Sequence, residues 1–145
     1  MQPVKMAGSD ERMDQVIQQA QDRKILFVDD EDYLAEVGRE MLEDYGYTVD
    51  TMTRSPAALA LFKKKPFHYD ALITDYTMPE MTGDVLMEKI LQIRPGLPVI
   101  MCTGITPPPE VLNRIQTAIL LMKPFDMADL LQAVDSFWKK KDTVP

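Results

Sequence analysis

Asp29 and Asp30, Asp75, Thr103 and Lys123 bring carboxylate, hydroxyl and amine chemistry to comparable places in this chain. Each closes or directly follows a short apolar run: Lys24-Ile25-Leu26-Phe27-Val28 before Asp29, Ala71-Leu72-Ile73-Thr74 before Asp75, Leu97–Cys102 before Thr103, and Ala118–Met122 before Lys123. Short apolar runs read as buried strands, so the five residues sit at strand carboxyl ends, the edge where open α/β sheets bind ligands. Carboxylates gathered there repel one another unless one keeps a proton or a cation sits among them. Oxygen donors open to water, with no His or Cys among them, favour magnesium, which binds few carboxylates and keeps waters for an incoming phosphoryl group. A lysine and a hydroxyl across from them suit an anion, the ammonium as a point charge and the hydroxyl as a hydrogen-bond donor.

The elements that must position these residues alternate along the chain. After the first strand, Leu34, Val37, Met41, Leu42 and Tyr45 recur at helical spacing, and Gly46 supplies a stop. Tyr47 to Met52 reads as a short strand. Ser55-Pro56 reads as a helix start, with Ser55 as N-cap and the proline at the first position. The Asp75 strand breaks into a loop marked by Pro79 and Gly83, and a helix from about Gly83 carries Leu86, Ile90 and Ile93 on one face. Thr106-Pro107-Pro108-Pro109 leaves room only for a short helix from about Pro109. Asp126 with Asp129 resembles a capping box for a last helix faced by Leu130, Val134 and Phe137. Five strands alternating with five helices, the strands read as short apolar runs rather than alternating ones, predict a doubly wound α/β sandwich around a parallel sheet.

The chain of 145 residues, 46% hydrophobic and 27% charged, has material for one core. Its net charge of -7 argues against nucleic acid or an anionic membrane as a direct partner. No apolar run approaches the roughly 20 residues of a membrane span, and Met1 to Ser9 lacks a signal peptide's apolar stretch, so a cytoplasmic location is expected. The single cysteine, Cys102, is expected in the core, and His68, the one histidine, in a surface loop. Residues 1–23 read as an extension or linker, with a weak helical spacing at Met13, Val16, Ile17 and Ala20; residues 24–140 form the domain and 141–145 a tail.

Val28-Asp29-Asp30-Glu31, Asp75-Tyr76-Thr77-Met78-Pro79 with Gly83, Thr103-Gly104 and Lys123-Pro124-Phe125 together resemble the receiver domain of two-component response regulators over roughly residues 24–140. The wording from Met41-Leu42 to Gly46-Tyr47, Thr77-Met78-Pro79 and Met101 to Gly104 is similar to receivers of hybrid sensor histidine kinases. The resemblance implies a flavodoxin-like (βα)5 three-layer sandwich with strand order 2-1-3-4-5. It makes Asp75 the phosphoacceptor, and Asp30, Asp75 and the Thr77 carbonyl ligands of Mg²⁺, with Asp29 acting through a water. Thr103 and Lys123 then hold the phosphoryl group. The implied partner is a histidine kinase or histidine phosphotransfer domain, with output through a further protein. Many receivers carry an aromatic residue three positions before the lysine; here that position is Leu120, a departure.

Plainer readings stand beside these. Singly, Asp29 or Asp30 is a helix-cap or turn residue, Thr103 a turn residue and Lys123 a solvated one; their shared edge is what promotes them. A degenerate receiver used only for docking or dimerisation is an alternative, against which the complete acidic set counts. A magnesium-dependent phosphatase with an aspartyl-phosphate intermediate is another, and it needs an additional acid for which no cap insertion is seen. Trp138, beside the core face of the last helix, is a weaker candidate for a partner surface.

Overall fold

The structure is a computed structural model that describes residues 22–139. The strands β1 (Lys24–Val28), β2 (Thr48–Met52), β3 (Ala71–Asp75), β4 (Val99–Thr103) and β5 (Ile119–Met122) form one parallel sheet in the order β2-β1-β3-β4-β5. They alternate with α1 (Asp32–Glu43), α2 (Ser55–Lys64), α3 (Gly83–Ile93), α4 (Pro109–Arg114) and α5 (Met127–Ser136). This is the flavodoxin-like arrangement. The weak helical spacing at Met13 to Ala20 and the tail at 141–145 lie outside the described residues.

Side chains alternate between the two faces of each strand, and two cores result. Leu26, Val28, Leu72, Val99 and Met101 face α2, α3 and α4, while Ile25, Phe27, Ala71, Ile73, Ile100 and Cys102 face α1 and α5. The buried Cys102 therefore belongs to the core, where burial and the nearby Asp75 push its thiol up to about 12. His68 sits in the loop before β3, its ring edge-on to Tyr69.

Helix ends explain most of the local geometry. At the end of α1 the Gly46 amide donates to the Glu43 carbonyl and the Tyr47 amide to the Leu42 carbonyl, with Gly46 at φ 101°, a left-handed conformation open to glycine. The capping box at α5 is present, Asp126 accepting from the Asp129 amide and Asp129 from the Asp126 amide.

Some details depart from the sequence reading. Ser55 is the first residue of α2, not its N-cap; its hydroxyl donates to the Met81 carbonyl at 2.6 Å, so it ties the start of α2 to the loop after β3 and does not cap the helix. Ile93 is 36% exposed at the end of α3, whose buried face is Leu86, Met87 and Ile90. In α1 the buried positions are Ala35, Gly38 and Leu42, while Leu34, Val37 and Met41 border a groove. The strands β2, β4 and β5 begin one or two residues later than the apolar runs suggest, because Tyr47, Leu97 and Ala118 pack in the preceding turns.

Candidate functional site

Register brings the functional residues to one edge. Val28 pairs with Thr74, Asp75 with Cys102 and Thr103 with Met122, so Asp29, Asp75, Thr103 and Lys123 follow one another across the carboxyl end of the sheet. Carboxylate oxygens of Asp29, Asp30 and Asp75 all lie within 4.8 Å of one another. Asp29 and Asp75 are buried and Asp30 is exposed, so the cluster opens to solvent on one side. The Lys123 Nζ lies 2.9 Å from Asp75 Oδ1 and 4.0 Å from Asp29 Oδ2.

The electrostatics follow from burial and crowding. Burial raises the Asp75 carboxyl above its ordinary range; the Lys123 ammonium opposes this, and the charges of Asp30 and Glu31 add to it. Burial likewise raises Asp29, against the Glu31 amide that donates to its Oδ1 at 3.0 Å, and the Asp75 charge raises it further. Burial pulls Lys123 down, but its bond to Asp75 and the surrounding carboxylates outweigh that and leave the ammonium raised. The result is a proton-hungry acidic pocket with one fixed cation at its side. Hard oxygen donors in this number and spacing fit a magnesium ion.

Two predicted residues stand differently. The Thr103 hydroxyl is buried and points into the β4–α4 loop, donating to the Ile105 carbonyl at 2.7 Å and accepting from the Ile105 amide at 3.1 Å. It lies on the right edge, with its hydroxyl committed to the loop. Thr77 is exposed in the loop two residues after Asp75.

The loops carry features that residue types alone did not single out. The Arg54 guanidinium donates to both carboxylate oxygens of Glu80, Nε to Oε1 at 3.0 Å and Nη2 to Oε2 at 2.8 Å, joining the loop before α2 to the loop after β3. Glu80 is held at φ 69°, a left-handed conformation uncommon for a residue with a Cβ. At Gly83 the first turn of α3 meets the end of β3 so closely that a Cβ would stand 2.1 Å from the Asp75 carbonyl oxygen. The Lys123-Pro124 peptide is cis. Of these, Gly83 had a sequence signal, as the glycine opening a helix, whereas a pairing of Arg54 with Glu80 across 26 residues has none.

Comparison with known proteins points one way. The family model of the response regulator receiver domain matches residues 25–135. The chemotaxis protein CheY of Bacillus subtilis is 30% identical over 114 residues, covering 77% of this chain and 94% of that protein. The sensor kinase CckA of Brucella abortus is 25% identical over 139 residues, 94% of this chain, and the chain spans 15% of that kinase's length. Among solved structures, the CheX–CheY–BeF3–Mg²⁺ complex from Borrelia burgdorferi aligns with a TM-score of 0.74 at 25% identity, covering 81% of this chain and 90% of the matched one.

Proposed function

The chain belongs to the response regulator receiver domain family of two-component signalling, and from that premise we propose that Asp75 is its phosphoacceptor. The observation that carries the assignment is the Lys123–Asp75 contact of 2.9 Å inside the acidic cluster. A buried carboxylate at a strand end, with a fixed ammonium on one oxygen, is oriented for in-line attack on phosphorus. The reaction is transfer from a phosphohistidine: a P–O bond to Asp75 forms as the P–N bond breaks, the nitrogen keeps the electron pair, and an acyl phosphate results. The Lys123 ammonium neutralises charge on the transferring oxygens. The Thr103 hydroxyl reaches those oxygens by leaving the Ile105 carbonyl.

Receivers generally bind Mg²⁺ at an acidic pocket, and here Asp30, Asp75 and the Thr77 carbonyl would hold the ion, with Asp29 acting through a water. When bound, it supplies positive charge toward the phosphoryl oxygens.

Receivers interact with histidine kinases or phosphotransfer proteins. For this chain the proposed donor is a histidine kinase or histidine phosphotransfer domain, as a hybrid-kinase receiver or a stand-alone relay. Residues 24–140 form the receiver, flanked by 1–23 and 141–145, and output passes through a partner protein with no direct nucleic-acid or membrane contact. No helix among the described residues is long and apolar enough to cross a membrane. The proposed site of action is the cytoplasm, where the proposed phosphohistidine donor is formed. Incubation with acetyl phosphate, with and without Mg²⁺, tests the reading by intact mass. One added phosphoryl group that needs both Mg²⁺ and Asp75 is expected; labelling that persists in Asp75→Asn overturns the assignment.

A further inference from the structure

Two neighbouring residues, Arg54 and Ser55, tie the start of α2 to the loop that leaves the acidic edge. That loop, residues 76–82, carries Thr77 near its beginning. Its base is fixed: Asp75 is buried at the end of β3, and the Gly83 amide donates to the Tyr76 carbonyl at 2.8 Å. Thr77 itself is exposed and takes no part in backbone hydrogen bonding.

The residues that follow Thr77 are held from outside the loop. Met78 is buried with the core of the α2–α4 face. The Ser55 hydroxyl, besides donating to the Met81 carbonyl, stands 3.6 Å from Met78 Sδ. Between these two points lies Glu80, at φ 69° and bonded through both carboxylate oxygens to the Arg54 guanidinium. Arg54 is anchored in turn, its carbonyl accepting from the Ala58 amide of α2 at 3.0 Å. The loop tip is therefore set relative to α2 as well as to β3.

Exposed ion pairs contribute little to stability as a rule, and Arg54 and Glu80 are 63% and 47% exposed. This pair differs in being a planar two-bond fork, and in holding a backbone conformation that a side-chain-bearing residue seldom adopts. What it selects is one arrangement of the loop among several. Magnesium demands near-ideal octahedral geometry, and a site that is competent for only a fraction of the time binds with its affinity reduced by that fraction.

We propose that Arg54 and Glu80 are positioning residues for phosphorylation: their contact keeps residues 76–82 in the arrangement from which the Thr77 carbonyl takes up Mg²⁺. The proposal rests on the magnesium reading of the acidic cluster, and adds that the affinity is set partly from α2, by two side chains that are not members of that cluster.

The test is a double-mutant cycle on the full chain, Arg54→Gln, Glu80→Gln and both together, at constant ionic strength. The Kd for Mg²⁺ is read from amide chemical shifts titrated with magnesium chloride, and amide hydrogen exchange of residues 77–82 is read in metal-free buffer. Each single variant is expected to weaken Mg²⁺ binding by roughly three- to fivefold and to speed exchange in the loop, with the double variant no worse than either. Arg54→Lys, which keeps the charge without the fork, should fall between wild type and Arg54→Gln. Labelling by acetyl phosphate should be slower at limiting Mg²⁺ and return to the wild-type rate at saturation. A field effect alone gives opposite signs, Arg54→Gln tightening Mg²⁺ and Glu80→Gln weakening it, and that result overturns the proposal. Additive losses, unchanged Kd values, or slow labelling that persists at saturating Mg²⁺ overturn it too. Should the wild type itself show no saturable response to Mg²⁺, the magnesium reading fails and this proposal with it; a normal wild-type response beside unchanged variants overturns this proposal alone.

Discussion

Lys123 holds Asp75 by a single oxygen, Nζ to Oδ1 at 2.9 Å, while the same ammonium stands 4.0 Å from Asp29 Oδ2. One cation is thus shared by two buried carboxylates, and it competes with any metal for them. Replacing it, Lys123→Met, is expected to slow labelling by a small phosphodonor by roughly 10²- to 10³-fold, the usual loss when one fixed donor to a developing charge is removed. The thermal shift on adding Mg²⁺ should grow in the same variant, since the competing charge is gone. A smaller shift than wild type would count against direct competition.

Asp75→Asn should abolish labelling and raise stability in metal-free buffer, on the order of 1 kcal/mol, or a few degrees in Tm. The sign follows from linkage. Burial raises the folded carboxyls of Asp29 and Asp75, so the folded state holds these protons more tightly than the unfolded chain does. The stability they contribute is complete below the unfolded value near 4 and is lost as pH rises through the folded values. Chelator-treated wild type should therefore lose stability from mildly acidic pH toward neutrality, and Asp75→Asn should flatten that slope. An equal slope in both proteins, measured by urea unfolding at several pH values, would contradict the assignment of the strain to Asp75.

Gly83→Ala should be among the costliest single changes on the α3 side. Its Cβ would lie 2.1 Å from the Asp75 carbonyl oxygen and 2.9 Å from Met101 Sδ; the sulfur can move, but the backbone oxygen cannot do so without shifting β3. A loss of roughly 2–4 kcal/mol is expected, with slower labelling because the displaced strand carries Asp75. Urea midpoints and phosphorylation rates on the same preparations check both parts.

The central strands β1, β3 and β4 and the acidic edge were legible because parallel strands buried on both faces are largely apolar and end where charge appears, as Phe27-Val28-Asp29 and Ile73-Thr74-Asp75 do. Where the sequence misled, a tertiary contact had displaced a local preference. Ser55 has the side chain of an N-cap, but the Met81 carbonyl is a partner no local rule could supply. Ile93 falls in helical phase with Ile90, yet α3 runs past the edge of the core before that turn is covered. The hydroxyl direction of Thr103 was equally unreadable, since its choice between the loop and the acidic pocket depends on a rotamer.

Asp30 is the exposed member of the cluster, so its removal should leave the fold intact while deleting a ligand. Mg²⁺ is expected to bind weakly, because an open site with few protein ligands leaves the ion largely hydrated, and at about 100-fold excess over Kd it should stabilise the wild type by about 2.7 kcal/mol. Asp30→Ala should remove most of that gain. A full magnesium-dependent shift in this variant would place the ion elsewhere.

The last expectation concerns how phosphorylation is read out. Thr103 gives its hydroxyl to the Ile105 carbonyl, and reaching a phosphoryl group on Asp75 requires breaking that bond. In many receivers an aromatic ring three positions before the lysine follows such a movement; here Leu120 packs against the core on the α2–α4 face, smaller than an aromatic and without a hydroxyl to draw it toward water. The neighbouring helix is held in two further ways. Pro107-Pro108-Pro109 stiffens the start of α4, and Arg114 near its end pairs with the buried Asp84 of α3 at 2.6 Å. Movement of Thr103 should then stop at the loops. Adding beryllofluoride with Mg²⁺ is expected to change amide shifts or hydrogen exchange around Asp30, Asp75, Thr103 and Lys123, and to leave residues 109–122 and α5 nearly as they were. A Leu120→Tyr variant should spread the response into α4, because it restores a side chain large enough to fill or vacate the space beside Thr103. Wide changes across 109–122 and α5 in the wild type, with new dimerisation, would show instead that coupling survives without the ring.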